Sequence, residues 1–224
     1  MLIGLFAPAV CGAADRGAFG PFERSLNSTP YGYTVVPDPT GTAPTATVER
    51  FEVRPGDCGA NRGWDDCATD RERSELSERG DRNPAGSTWW YGWSFFLPAG
   101  FPEIHPAKLA LGQFHQEKSH VIWMFQQTPG GLYLDDQVDG HTRRYHPLID
   151  AAALRGRWHR IEVAARWTRN EDGYFRVWVN GIRKVDYAGR TMSADIVYFK
   201  YGVYRSFISR FRNATGTQDV PTQT

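Results

Sequence analysis

Short runs of alternating apolar and polar residues, each closed by Gly, Pro, Asn or Asp, dominate the chain; no long stretch shows the spacing of an amphipathic helix. Thr47 to Val53 alternates cleanly. Arg73 to Ser77 is polar on one face and carries Ser74 and Leu76 on the other. Thr88 to Leu97 is rich in aromatics and stops at Pro98. Leu109 to Gln116 and His120 to Gln127 are joined by the polar segment Glu117 to Ser119, and Trp158 to Trp167 follows the one predicted helical turn, Pro147 to Leu154. Tyr174 to Val179 and Ile182 to Tyr187 flank Asn180-Gly181, a pair suited to a type I′ hairpin because both central residues need positive φ. Asp195 to Phe207 is the last long strand. Beyond Asn213 the composition turns to Thr, Gln and Gly, which predicts a disordered tail over 213–224. Many short strands with turn signals and almost no helix predict an all-β antiparallel sandwich or jelly roll.

The two-residue period of a strand sorts the side chains further. It places Gln113 and His115 on one side of their strand, with Phe114 on the other. Tyr198, Lys200, Gly202 and Tyr204 share one face of the last strand, opposite Val197, Phe199, Tyr201 and Val203. Arg71, Arg73 and Glu75 point together. Each of the three strands thus has a side for a core and a side loaded with reactive polar groups. Gly202, between Lys200 and Tyr204, is expected to leave a gap where a ligand approaches the sheet.

At 224 residues the chain suits a single β domain over 15–212, and its net charge of +1 lacks the global basic field of nucleic-acid binders. Eight Trp suit either an inter-sheet core or a groove that stacks sugars. Residues 1–14 read as the remnant of a secretory signal, apolar from Leu2 to Val10 and ending in small residues, too short to span a bilayer. That predicts a secreted or periplasmic protein, with no nucleic-acid or membrane partner and a monomeric state. Cys11 would leave with the signal, and Cys58 and Cys67 are then an even pair in a Gly-rich loop, the pattern of a disulfide.

RSEL (73–76), QFH (113–115) and YFKYGVY (198–204), in this order, resemble the motif strands of the alginate lyase superfamily. Polysaccharide lyase family 7 has R-S/T-E-L, Q-I/V-H and Y-F-K-A-G-x-Y; the glucuronan lyases of family 20 and the heparin lyase I family share parts of the pattern. The resemblance implies a concanavalin-like jelly roll with a concave substrate groove. It implies that the Gln113 and Arg73 positions neutralise a uronate carboxylate, that His115 and Tyr204 handle protons, and that Lys200 supports binding. Glu75, Tyr198 and Arg205 complete the expected substrate-binding set, Glu75 as the partner that orients an Arg. Tyr201 stands where family 7 has Ala and Arg205 where Asn is common; with the Cys pair, these departures favour the glucuronan lyase side over alginate.

The implied chemistry suits these residue types. β-Elimination removes the C5 proton of a uronate and expels the oxygen on C4. Donors aimed at the carboxylate stabilise the developing enolate, and the base must sit close to C5. Where the C5 proton and O4 lie on one side, Tyr204 could take and return the proton alone, its phenolate favoured by Lys200 and Arg73. Where they lie on opposite sides, His115 would be the base facing Tyr204. A laminarinase-type hydrolase needs paired carboxylates on one strand, and Glu72, Glu75 and Glu78 scatter over both faces. A non-catalytic carbohydrate-binding sandwich fits the fold but needs no such polar convergence. His105, His120, His141, His146 and His159 are read as ordinary residues. No cofactor is required and no metal site is read; Asp135, Asp136 and Asp139 are taken as solvated turn acids, with structural Ca²⁺ as the alternative.

Overall fold

A computed structural model describes residues 15–79, 82–140 and 142–224. The expected signal remnant, Cys11 and His141 lie outside the described residues. The strands are β1 (Phe22–Arg24), β2 (Tyr33–Pro37), β3 (Thr47–Phe51), β4 (Arg71–Glu78), β5 (Asn83–Pro84), β6 (Thr88–Phe96), β7 (Lys108–Gln116), β8 (Val121–Thr128), β9 (Gly131–Asp136), β10 (Arg144–Asp150), β11 (Trp158–Arg166), β12 (Tyr174–Val179), β13 (Ile182–Ala188) and β14 (Ile196–Ser206). Helices α1 (Ala151–Leu154) and α2 (Ile208–Thr215) are short.

The fold is the expected β-sandwich jelly roll. The large antiparallel sheet runs β1-β4-β14-β7-β8-β9-β10, with β5 also paired to β14; the second runs β13-β12-β11-β6, and β2-β3 forms a separate hairpin. Alternation drives the layering. Leu109 and Phe114 of β7, Val197, Phe199 and Val203 of β14, and Val163, Phe175 and Val177 of the smaller sheet all enter one buried core. In β7 and β14 the residues between them are left on the outer face of the large sheet. Asn180 and Gly181 adopt φ of 50° and 79°, as the hairpin between β12 and β13 requires.

Three expectations are corrected. Pro147 belongs to β10, opposite Tyr133, so only Ala151–Leu154 is helical. The segment after Asn213 is not a free tail: α2 continues to Thr215, Val220 and Gln223 are fully buried, and Gln223 exchanges backbone hydrogen bonds of 2.9 and 3.0 Å with Val53. Its polar composition hid a strand-like pairing that satisfies the backbone. Gly202 also has a different role from the one its neighbours suggested. It sits at φ +130° in a β-bulge between Tyr201 and Tyr204, and a Cβ there would lie 2.4 Å from the Ser74 carbonyl oxygen. Its missing side chain admits the β4 backbone, not a ligand.

Tyr201 and Arg205 face the interior. The Tyr201 hydroxyl donates to Glu49 at 2.7 Å, and its ring packs edge-on against Phe22 and Phe51. Arg205 is 0% exposed, paired with Glu72, and donates from Nη1 to the Pro221 carbonyl at 2.6 Å. The expected contact of Arg205 with substrate is therefore corrected: it anchors the C-terminal segment. Both departures from the family 7 pattern are packing features and carry no information about substrate.

The glycine assignment is testable. Gly202→Ala should cost more than about 2 kcal/mol in urea unfolding, from the unfavourable φ and the backbone clash together. Gly92→Ala on β6, where an added Cβ meets nothing within 4 Å, should cost far less; equal losses would disprove the packing role.

Candidate active site

Three neighbouring strands bring the expected polar residues together on the outer face of the large sheet. Lys200 lies opposite Gln113, Tyr198 opposite His115, and Tyr204 opposite Arg73, so β14 is the central rail between β4 and β7. At the centre is Glu75. Its carboxylate accepts from Lys200 Nζ at 2.7 Å, from Arg73 Nη1 at 3.1 Å and from Gln113 Nε2. A carboxylate only accepts, so these contacts fix which end of the Gln113 amide faces Glu75.

Arg73 is gripped from its other side by Asp66, with Nε and Nη2 each 2.6 Å from a carboxylate oxygen. Asp66, Glu75, Arg73 and Lys200 are 0, 3, 5 and 7% exposed. Two acids and two cations thus form a buried, self-neutralised set. Burial works against the charged Glu75 carboxylate, but Lys200 and Arg73 hold it below the usual carboxylate range. The guanidinium fork of Arg73 that the sequence offered to a substrate carboxylate is committed to Asp66 and Glu75. Arg73 instead lies under Tyr204, 4.5 Å from its ring centroid.

Tyr204 and His115 stand at opposite ends of this cluster. The Tyr204 hydroxyl accepts from Arg71 Nε at 2.9 Å. Burial pushes its pKa up despite Arg73 and Arg71, so the phenol keeps its proton. The expectation of a favoured phenolate is therefore corrected. The Lys200 charge is matched by Glu75 and that of Arg73 by Asp66, and desolvation outweighs what remains. His115 is brought down to a pKa of about 4, chiefly by burial, with Lys200 and Arg73 adding to it against the Gln116 carbonyl and Glu75. The imidazole is neutral at pH 7. Its Nδ1 lies 2.8 Å from the Gln116 carbonyl, which can only accept, so Nδ1 carries the hydrogen and Nε2 the lone pair. The Tyr198 hydroxyl lies 3.2 Å from the same Nδ1, and Nε2 has no protein partner among the described residues. The site thus offers a proton acceptor and a proton donor at rest.

Two residues beyond the expected set contribute. Asp66 comes from the loop closed by the Cys58–Cys67 disulfide, whose sequence separation is 9. Arg71 touches Tyr204 directly. Its position on the Arg73 and Glu75 face was visible in the alternation, but its contact was not. Asp66 gave no signal beyond its place next to a cysteine. Trp64, on the same loop, is 42% exposed; its ring lies 5.2 Å from the Arg71 guanidinium, and its Nε1 donates to Asp66 at 2.8 Å. Trp123 and Trp167 are core residues, as one of the two expected uses has it.

Among the described residues, no group of three or more His, Cys, Asp or Glu side chains is placed to hold a metal ion. The acids considered for Ca²⁺ are not solvated turn residues as a set: Asp135 and Asp136 are buried on β9. Asp135 pairs with Arg143, and Asp139 accepts from Ser193 at 2.6 Å. Among the described residues, no helix is long and apolar enough to cross a membrane.

The sequence profile of the polysaccharide lyase family matches residues 15–223. No curated protein matches the chain. Among solved structures, the chain is similar to the endo-β-1,4-glucuronan lyase of the fungus Trichoderma reesei, with 19% identity and a TM-score of 0.60 over 94% of this chain and 93% of that one. It also matches the alginate lyase Aly36B, with 11% identity and a TM-score of 0.48 over 84% and 96% of the two chains. A third match is an alginate lyase from Alteromonas sp. 272, with 12% identity and a TM-score of 0.45 over 68% and 80%.

The disulfide should matter twice over. The Cys58→Ser/Cys67→Ser variant should lose about 2–3 kcal/mol of stability for a loop this short. It should also lose turnover well below its unfolding temperature, because Asp66 no longer holds Arg73 firmly. Full turnover in the folded variant would show that the loop has no part in the site.

Proposed function

The chain belongs to the polysaccharide lyase family, and from that premise we propose that it cleaves β-1,4-glucuronan by β-elimination, with His115 as base and Tyr204 as acid. The observation that carries this reading is the pair of resting protonation states. Nε2 of His115 has a lone pair with no protein partner, and Tyr204 keeps its hydrogen. Both side chains rise from one face of the large sheet and reach a bound sugar from the same side. Because Tyr204 keeps its proton and cannot act alone, we assign this pair to uronates whose C5 hydrogen and C4 oxygen lie on one side, the gluco and manno configurations, in place of the opposite-side case expected for a His115–Tyr204 pair. The fold shared with the fungal glucuronan lyase adds support for the gluco choice, and poly-mannuronate is the second candidate.

In this reading His115 Nε2 takes the C5 proton. The electron pair left on C5 forms the C4–C5 double bond as the C4–O bond breaks, and the Tyr204 hydroxyl gives its proton to the departing oxygen. Arg71 Nε stabilises the phenolate that results, as an oxyanion is stabilised by a donor already in place. The substrate carboxylate meets Gln113 and Arg71, whose Nη2 has no partner among the described residues. Arg73 and Lys200 act on substrate only through the groups they position. The disulfide supports a place outside the reducing cytosol.

The test is absorbance of the unsaturated uronate in the near ultraviolet, with glucuronan, poly-mannuronate, poly-guluronate and heparin compared. Glucuronan should give the highest rate; a clear preference for poly-guluronate would overturn the same-side geometry. Tyr204→Phe should lower kcat by about 10²–10⁴-fold while still binding polymer. The pH profile separates the two assignments of the base. With His115 as base, kcat/KM falls as pH drops through about 4, because a protonated imidazole cannot accept, and stays level through the ordinary tyrosine range of about 10, because burial raises the Tyr204 phenol above it. A rate that climbs steadily toward pH ~10 would make the Tyr204 phenolate the base instead.

A further inference from the structure

Beyond Tyr204, the end of the sheet holds two cations that the catalytic set does not use, Lys108 and Arg210, beside Arg71, which it does. Arg71 on β4 and Lys108 on β7 both lie opposite Ser206 of β14, so they flank one position next to Tyr204 on the same face. Phe207 follows, and its ring gathers three cations. The Arg71 and Arg210 guanidinium carbons lie 5.3 and 4.2 Å from the ring centroid, and Lys108 Nζ lies 5.9 Å from it. Among the described residues none of the three makes a salt bridge, although the chain as a whole is nearly neutral at +1.

The acids at this end have other partners. Asp70 accepts from the Ser209 backbone at 3.0 Å and from its hydroxyl at 2.7 Å, capping α2, and Asp135 is taken by Arg143. The cations are close enough to feel one another. Partial burial, then Arg143 and Arg210, hold the Lys108 ammonium below its ordinary range against the pull of Asp135. At the opposite end the pattern differs: Arg82, over the Tyr198 ring, is paired with Glu117 at 2.9 Å. The free positive charge is therefore concentrated on the Tyr204 side.

We propose that Lys108 and Arg210, gathered around Phe207 beside Arg71, form a carboxylate-binding subsite for the uronate units beyond the cleaved bond, with Trp64 as a stacking surface at its edge. The proposal rests on the reading of Tyr204 as acid. That residue protonates the bridging oxygen, so the cluster lies toward the fragment that departs with that oxygen. Like-charged side chains left unpaired repel one another, and a polymer with one carboxylate per sugar relieves that repulsion. The cluster thus favours acidic chains over neutral ones and contributes to holding the polymer in register.

The test measures binding apart from chemistry. A β-1,4-glucuronan hexasaccharide is titrated into Tyr204→Phe and into the same protein carrying Lys108→Ala and Arg210→Ala. These two side chains make no ion pair, so folding should survive, which near-ultraviolet circular dichroism checks. Affinity should fall tenfold or more at low ionic strength, and the gap should narrow at high salt because partly exposed charges are screened. Lys184→Ala, an exposed and unpaired cation on β13 of the other sheet, should leave binding unchanged. Equal affinity of the double variant and its parent overturns the subsite, as does an equal loss from Lys184→Ala. A wild-type protein that binds the hexasaccharide through the cluster without releasing an unsaturated product would overturn the glucuronan reading while leaving the subsite standing.

Discussion

One buried carboxylate organises the open face of the molecule. Glu75 receives a donor from each of three adjacent strands, counting its own: Arg73 from β4, Lys200 from β14 and Gln113 from β7. An unpaired charge in such a place costs about 3–5 kcal/mol when its partner is removed. The side chains of this cluster are therefore held by contacts made within the protein itself. Positioning of this kind is what a reaction at a weakly acidic carbon needs, since little reorganisation remains for the chemical step.

The neutrality of the buried set changes how the site works. Counting cations near Tyr204 suggests a positive field that would ionise it. The structure places a carboxylate against Arg73 and Lys200 alike, and burial then decides the outcome. The same desolvation keeps His115 uncharged. The protonation states of Tyr204 and His115 thus follow from depth in the sheet more than from net local charge, and the free charge that remains is displaced to the rim around Phe207.

Much of this was legible in the sequence wherever the two-residue period held. The faces of β4, β7 and β14, the Asn180-Gly181 turn and the disulfide pair were all visible, and the family resemblance gave the order of the motif strands. Elements whose pattern is broken were missed: β9 ends in two acids, β10 contains Pro147, and α2 is a single short helix of polar-rich sequence beyond the last strand. Side-chain roles were harder. Arg73 and Arg205 look equally available in a string of letters, but Asp66 captures one and Glu72 the other through contacts that alternation cannot report. Tyr201 and Arg205 seemed to speak about substrate, yet they tie the β2-β3 hairpin and the C-terminal segment to β14.

The disulfide loop also binds two properties into one. Asp66 precedes Cys67 directly and clamps the arginine beneath Tyr204. If the oxidised loop favours the competent arrangement, thermodynamic reciprocity requires the converse: a polysaccharide seated in the groove must make the cross-link harder to reduce. Occupied enzyme would then resist thiols that inactivate empty enzyme, so the polymer protects the catalyst that consumes it.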